Sequence, residues 1–149
     1  MQPALSATGN KILIVIAVLA CAGIVVSSVS LAHHYARSKT SFCDFSQTFN
    51  CDVVNRSEYS TVQGIPVALI GILGYAALLA LSTLYRAKEE TPAMLLGAAA
   101  AGLCFALYLS YIEAFVLDAW CILCLSSLSC IFAITVLSAI LFLRRKRMP

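Results

Sequence analysis

Four of the seven cysteines in this chain stand where they could carry out redox chemistry. Cys43 and Cys51 lie in the only long polar stretch, with seven residues between them. Cys121 and Cys124 form a Cys-x-x-Cys motif in the segment WCILC, at the start of a long apolar run. The other three cysteines lie within apolar segments, where a thiol usually acts as a small hydrophobic group. Two cysteine pairs are therefore the candidates for chemistry.

The Cys-x-x-Cys motif is predicted to open a helix. Residues three apart share a helix face, and the positive end of the helix dipole stabilises a thiolate in the first turn. Asp118 is predicted to cap this helix, because it stands three residues before Cys121. Cys124 would then lie about 4.5 Å deeper along the axis than Cys121. One sulfur would be near water and the other near lipid, which suits electron transfer between an aqueous and a lipidic partner.

Three kinds of site are compatible with four cysteines at one surface. A zinc site usually has two closely spaced pairs, which Cys-x7-Cys does not match, so no metal is predicted. Static disulfides form in oxidising compartments, but a bridge within Cys-x-x-Cys closes a very small loop and stabilises little. Redox-active pairs that exchange through a mixed disulfide are favoured. Because haem, iron–sulfur and nucleotide motifs are missing from the sequence, a lipid-soluble quinone is the predicted electron acceptor.

The elements that carry these cysteines are predicted to be membrane helices. The chain has 149 residues, of which 61% are hydrophobic and 11% charged, well below the charged fraction of about 25% in soluble domains. Apolar runs long enough to cross a bilayer cover 12–32, 65–84, 93–115 and 121–143. We therefore predict an all-α integral membrane protein, a single domain over 1–149 with four transmembrane helices and a long loop at 33–63. Small residues at 97–102 are predicted to let a neighbouring helix approach closely.

Basic residues that flank the spans predict how the protein is oriented. One side carries seven of them: Lys11, Arg86, Lys88, Arg144, Arg145, Lys146 and Arg147. The other side carries three, all in the 31-residue loop: Arg37, Lys39 and Arg56. Both termini are therefore predicted to be cytoplasmic, with the loops 33–63 and 116–120 facing outward. This asymmetry accounts for the net charge of +3, so no nucleic-acid partner is expected.

The sequence resembles the vitamin K epoxide reductases and their bacterial homologues. The similar features are CDFSQTFNC at 43–51, a serine at Ser57, GIPVALIG at 64–71 and YLSYIEAFVLDAWCILC at 108–124. The resemblance extends over nearly the whole chain, from the first loop to the fourth helix. The spacing Cys-x7-Cys-x5-Ser, followed by Cys-x-x-Cys at the outer end of the fourth helix, is more specific than either cysteine pair alone.

The resemblance implies a role for each residue of the site. Cys43 would exchange with the thiols of a partner protein, and Cys51 would pass the electrons to Cys121. Cys124 would face and reduce the quinone, and Ser57 would hold the site or hydrogen-bond near the quinone. The quinone would be of the menaquinone, ubiquinone or phylloquinone (vitamin K) class. The electron donor would be a secreted or membrane-anchored thioredoxin-fold protein similar to DsbA, acting in trans.

Two departures from the animal enzymes favour a bacterial-type enzyme that oxidises protein thiols. Animal enzymes have a tyrosine four residues after the second helix cysteine, where this chain has Leu128. They also have a longer segment after the loop serine, whereas six residues separate Ser57 from Gly64 here. The expected location is a bacterial cytoplasmic (inner) membrane with the site facing outward, or the endoplasmic reticulum membrane in a eukaryote. The chain ends soon after RRKR, so the thioredoxin-fold partner is expected to be a separate protein.

Several other residues are candidates for the quinone pocket. Pro66, Val67, Ile70 and Leu128 are predicted pocket walls. Tyr108 and Tyr111 either line the pocket or form an aromatic belt at the membrane interface. Glu113 is the only acid within a predicted span, which makes it a functional candidate, either as a proton source or as the partner of a loop cation.

Three alternatives remain open at this point. One is a vitamin K epoxide or quinone reductase of the animal type. Another is an enzyme of the DsbB type, although in that type the quinone-side Cys-x-x-Cys comes first in the chain. The third is a four-helix membrane adaptor whose outer loops are held by structural disulfides.

Overall fold

The computed structural model of the protein describes residues 7–36, 43–44, 46–86 and 88–147, and this part of the chain is mostly helical, as predicted. Its elements in chain order are α1 (Ala7–Tyr35), α2 (Cys51–Asn55), a short 3₁₀ helix (Glu58–Ser60), β1 (Thr61–Val62), β2 (Ile65–Pro66), α3 (Val67–Thr83), α4 (Thr91–Phe115) and α5 (Ile122–Arg147). The loop cations Arg37 and Lys39, which entered the prediction of orientation, lie outside the described residues.

Three of the helices, α1, α4 and α5, are long and apolar enough to cross a membrane. This confirms the prediction of a helical membrane protein. Helix α3 has 17 residues and, at 1.5 Å per residue, measures about 25 Å. That is shorter than a hydrocarbon layer of ~30 Å. The fourth crossing and the orientation of the termini therefore stay predictions.

A tight hairpin makes the second long helix begin at Val67 rather than at residue 65 as predicted. Strands β1 and β2 pair in antiparallel fashion, with Gln63 and Gly64 between them. These two residues have φ values of 52° and 82°. Positive φ at both central positions is what a two-residue type I′ turn requires. Pro66 then precedes the first turn of α3, where its missing N–H costs nothing.

The basic segments predicted to be cytoplasmic meet at one end of the bundle. Asn10 of α1 and Arg86, after α3, line a common cavity. Arg145 of α5 donates a hydrogen bond to the Lys88 carbonyl at 3.1 Å. Helix α5 continues through Arg147, beyond the predicted end at residue 143, because cations are favourable at the negative end of a helix dipole. The cysteine pairs lie at the opposite end.

Helix α1 packs mainly on α3 and α5, and α4 packs on α5. Tyr75 of α3 links three of these helices. Its ring occupies the space where a side chain at Gly23 of α1 would stand. Its hydroxyl donates a hydrogen bond to the Ser127 carbonyl of α5 at 2.7 Å. In the small-residue stretch of α4, Gly102 lies close to Ile131, as predicted for close helix packing.

We predict that Gly23→Ala destabilises the protein by about 1–3 kcal/mol, because the added methyl group must displace the Tyr75 ring from a packed core. Thermal unfolding of the purified protein in detergent measures this effect. Gly97→Ala is the matched control, since nothing lies within 4 Å of its Cβ position and alanine favours a helix over glycine. Equal melting temperatures for both variants would contradict the close approach at Gly23.

Candidate functional site

Backbone hydrogen bonds hold the loop that carries Cys43 and Cys51, here called the cysteine loop, against the segment that precedes α5. The Trp120 N–H donates to the Thr48 carbonyl at 2.7 Å, and the Asn50 N–H donates to the Trp120 carbonyl at 3.1 Å. Together they form a short parallel bridge. Because Cys51 directly follows Asn50, which bonds to Trp120, and Cys121 directly follows Trp120, the two cysteines are brought side by side.

Three sulfur atoms of the site form one buried cluster. Cys43 and Cys51 are joined in a disulfide, and Cys121 Sγ lies 3.2 Å from Cys51 Sγ. The three residues are at most 1% exposed. Cys121 and Cys124 are free thiols. A thiol beside a disulfide is the arrangement from which thiol–disulfide exchange proceeds.

The same cluster has the dimensions of a metal site, because the three sulfurs lie within 4.8 Å of one another. Metal ligation by cysteine requires thiolates. While Cys43 and Cys51 share a disulfide, only Cys121 of this set has a thiol to offer. The redox arrangement and a metal arrangement therefore exclude each other at these three residues.

A short capped helix orients Cys51 toward Cys121. Helix α2 begins after Asn50, whose Oδ1 accepts the Val53 N–H at 3.1 Å, the usual pattern of an N-cap. Cys51 and Asn55 are four residues apart and share one face of α2. Both contact Cys121. The Cys51 sulfur lies 3.2 Å from the Cys121 sulfur, and Asn55 Nδ2 donates to Cys121 Sγ at 3.8 Å.

Asn55 is a site residue that the sequence alone did not indicate. It is 7% exposed, and its Oδ1 accepts a hydrogen bond from Ser30 Oγ at 2.8 Å. Its carbonyl lies 2.6 Å from His34 Nδ1. The bond from Ser30 fixes the amide so that its NH₂ group points at Cys121. The position of Asn55 four residues after Cys51, on the same helix face, is the one feature of the sequence that could have indicated this role.

Glu113, rather than Asp118, supplies the carboxylate at the start of α5. Asp118 lies in the connection between α4 and α5 with a φ of 47°, and Cys121 directly precedes α5. The Cys121 N–H donates to Glu113 Oε2 at 3.2 Å. The predicted capping role of Asp118 is therefore wrong. A hydrogen bond from the Cys124 thiol lowers the pKa of the Cys121 thiol below its usual value, against the opposing effect of burial.

Cys124 lies at the junction of two cavities. The larger has a volume of about 350 Å³, lies among α1, α3, α4 and α5, and has mainly apolar walls. The smaller has a volume of about 50 Å³ and lies under the cysteine loop. Besides Cys124, the two cavities share the wall residues Ser30, Val67 and Leu109. A group in either cavity could reach the Cys124 side chain.

The predicted pocket residues divide between these cavities and the outside of the bundle. Val67 and Ile70 line the larger cavity, and Ser57, Pro66 and Val67 line the smaller one. Ser57 Oγ donates to the Val54 carbonyl at 2.8 Å, which commits its hydroxyl hydrogen to a local turn.

The remaining three candidates line neither cavity. Tyr108 and Tyr111 are 57% and 59% exposed on α4, and Tyr111 contacts Phe115 through its ring. Both rings therefore lie on the outside of the bundle, and the aromatic-belt interpretation stays a prediction. Leu128 packs against the hydrophobic core of the bundle.

We predict that Cys43→Ser converts the site to a Cys51–Cys121 disulfide under mild oxidation. Cys51 loses its partner while the Cys121 sulfur remains 3.2 Å away. Mass spectrometry of non-reduced peptides identifies the new bridge. Cys104→Ser, which changes an exposed cysteine of α4, is the control and retains Cys43–Cys51. Recovery of Cys51 as a free thiol in Cys43→Ser would contradict the observed proximity.

Asn55→Leu is predicted to slow exchange between the loop and helix cysteines about 10-fold, because hydrogen bonds to charged groups contribute about 1.5–3 kcal/mol. Without this donor the Cys121 sulfur loses a hydrogen bond that stabilises its thiolate. Quenched-flow alkylation measures the rate. Asn55→Asp retains an acceptor for Ser30 but loses the donor, and should slow exchange at least as much. Unchanged rates in both variants would show that the 3.8 Å contact has no role.

A sequence model of the vitamin K epoxide reductase family matches residues 14–139, which is most of the chain. A comparison with curated proteins found no match. The chain belongs to the vitamin K epoxide reductase family. Membership implies a membrane oxidoreductase with a quinone-linked redox role.

Proposed function

We propose, from the family membership and the site geometry, that this protein is a quinone-reducing thiol–disulfide oxidoreductase that supports disulfide formation outside the cytoplasm. It would take electrons from a thioredoxin-fold partner in trans and pass them through Cys43 and Cys51 to Cys121 and Cys124. A quinone would be the final acceptor. The observation that carries the proposal is the distance of 3.2 Å between the sulfurs of Cys51 and Cys121.

The arrangement of bonds corresponds to one stage of such a relay. A reduced Cys43–Cys51 pair loses two electrons when it reduces a Cys121–Cys124 disulfide. The products are a Cys43–Cys51 disulfide and two thiols on the helix side, which is the distribution found here. Two thiols are consumed and two are formed, so protons and electrons balance. The mixed disulfide between Cys51 and Cys121 is the expected intermediate.

The larger cavity supports a quinone as the acceptor. Its volume of about 350 Å³ lies within the range of about 300–1,000 Å³ of small-molecule sites. Its walls are mainly apolar and include Cys124, with Val67 and Ile70 of α3. A flat apolar ring with two reducible oxygens fits this chemistry. Menaquinone, ubiquinone and phylloquinone share that ring chemistry, so the cavity does not distinguish among them.

The burial of the loop pair limits how a partner can approach. Cys43 is 1% exposed in the disulfide state, so a partner sulfur cannot attack it without a shift of the segment around it. The Thr48–Trp120 and Asn50–Trp120 hydrogen bonds are the contacts that such a shift would have to break or bypass. We propose that the partner is a thioredoxin-fold protein on the outer side of a bacterial cytoplasmic membrane, or in the lumen of the endoplasmic reticulum in a eukaryote.

The decisive experiment is quinone-dependent oxidation of a reduced thioredoxin-fold protein by the purified enzyme. We predict that Cys124→Ser reduces the rate to that measured without enzyme, because the residue at the cavity can no longer form the helix disulfide. Cys130→Ser is the matched control on the same helix: Cys130 lines neither cavity at Cys124, and this variant should keep the wild-type rate. Quinone reduction by Cys124→Ser would refute the proposed electron path, and a lack of quinone reduction by the wild type would refute the function.

A further inference from the structure

Glu113 is a buried carboxyl group that the proposed electron path does not use. It lies near the outer end of α4, is 2% exposed, and is the only acidic residue in the three helices that can cross a membrane. Burying a carboxyl group away from water is costly unless something compensates. Because this cost has to be compensated, we treat Glu113 as a candidate functional residue.

The two oxygens of Glu113 have different surroundings. Oε2 accepts the Cys121 N–H at 3.2 Å, so this oxygen helps to place the first cysteine of the helix pair. Oε1 is buried and has no hydrogen-bond partner among the described residues. The carboxyl group also interacts with the side chain of Cys124. One oxygen is thus engaged in positioning, and the other is free to take up a proton.

The smaller cavity brings Glu113 together with polar side chains of α1 and of the segment after α2. Glu113 and Cys124 both line it, together with Ser57, Ser60 and His34. A cavity of about 50 Å³ exceeds the volume of about 10–15 Å³ that one water molecule requires. Water in this space could link the carboxyl group to the imidazole of His34, which is hydrogen-bonded at the Asn55 carbonyl.

We propose that Glu113 is the proton acceptor for the Cys124 thiol during quinone reduction and that the smaller cavity is its route for proton exchange with water. This inference rests on the proposed function for its physiological context. The larger, apolar cavity adjoins Cys124 and not Glu113. Electrons and this proton therefore leave the Cys124 sulfur on different sides.

The thiols of Cys121 and Cys124 lose two electrons and two protons as their S–S bond forms. The quinone gains two electrons and two protons as it becomes a hydroquinone. One proton passes from Cys124 Sγ to Glu113 and exchanges with water in the smaller cavity, while the other leaves Cys121. The quinone oxygens take up two protons from water, which equals the number that the two thiols release. No further reductant or oxidant is required.

Other titrating groups near Glu113 are few among the described residues. His34 of α1, Tyr59 of the 3₁₀ helix and Cys124 of α5 line the smaller cavity. Cys121 is joined to Glu113 through its N–H. The wall residues contributed by α2 and α3 do not titrate. A change in pH dependence that follows a substitution at Glu113 can therefore be assigned to a small set of groups.

The test substitution is Glu113→Gln, which retains an oxygen acceptor for the Cys121 N–H but cannot accept the thiol proton. General acid–base catalysis contributes about 10²–10⁴-fold, so we expect single-turnover quinone reduction by the pre-reduced enzyme to fall about 10²-fold. The wild-type rate should level off as pH rises and the carboxyl group ionises. The variant rate should instead continue to rise in proportion to hydroxide. Glu58→Gln, the same change at an exposed acid on the outer loop, is the control and should match the wild type.

A second measurement does not depend on quinone. In the Cys121→Ser background, alkylation of Cys124 by a lipid-soluble maleimide is followed by mass spectrometry. If Glu113 takes up the thiol proton, Glu113→Gln slows alkylation at neutral pH. If Glu113 acted only as a fixed negative charge, the neutral amide would speed alkylation, because a nearby negative charge disfavours a thiolate.

The outcomes separate the two proposals. Faster or unchanged alkylation in Glu113→Gln, or a quinone-reduction profile that merely scales down at every pH, would overturn the role of Glu113 and leave it as a positioning residue for Cys121. A wild type that reduces no quinone, but whose Cys124 alkylation still depends on Glu113, would refute the proposed function and support this inference.

Discussion

The site depends on two backbone hydrogen bonds at Trp120. They join residues 48 and 50, next to Cys51, to the strand-like segment before α5. Each such bond contributes only about 1 kcal/mol net, yet together they determine the register between two parts of the chain that are 70 residues apart at Cys51 and Cys121. A shift of this register by one residue would turn Cys51 away from Cys121, because side chains alternate along an extended segment.

The polar groups beneath the loop compensate for burying reactive sulfur. Cys121 is fully buried, where a thiolate would be strongly disfavoured without donors. Asn55 donates to its sulfur, and the bond from Ser30 keeps that amide in position. Glu113 accepts a hydrogen bond from the backbone N–H of Cys121. The sulfurs are thus buried, and the few hydrogen bonds made to them are electrostatically strong because the local dielectric constant is low.

The bundle below the site supplies a second, chemically different environment. Tyr75 fills the space beside Gly23 and ties α3 to α5 through Ser127, while the larger cavity remains open nearby. Cys124 lies between this cavity and the smaller one, whose lining also includes Ser57, His34 and Glu113.

Local properties of the sequence were sufficient for the coarse description. Long apolar runs predict helices because backbone groups in lipid must bond within their own segment, and α1, α4 and α5 confirm this. The helix start at Cys-x-x-Cys could also be predicted, since it depends on neighbouring residues. The hairpin before α3 was missed because a signal of two residues on each side of Gln63–Gly64 is short. Tyr108 and Tyr111 could not be separated from cavity residues such as Ile70 without knowing which helix faces meet.

By itself, the sequence determined a helical membrane oxidoreductase of the vitamin K epoxide reductase family with two cysteine pairs. The helices and the cysteine spacing depend on short-range sequence patterns that any packing of the helices preserves, and the family follows from the match over residues 14–139. Only the tertiary structure decided that Cys51 meets Cys121, that Asn55 points at that sulfur, and that Glu113 rather than Asp118 receives the Cys121 N–H. Each of these contacts joins residues from different elements, so its distance is set by how helices and loop pack together.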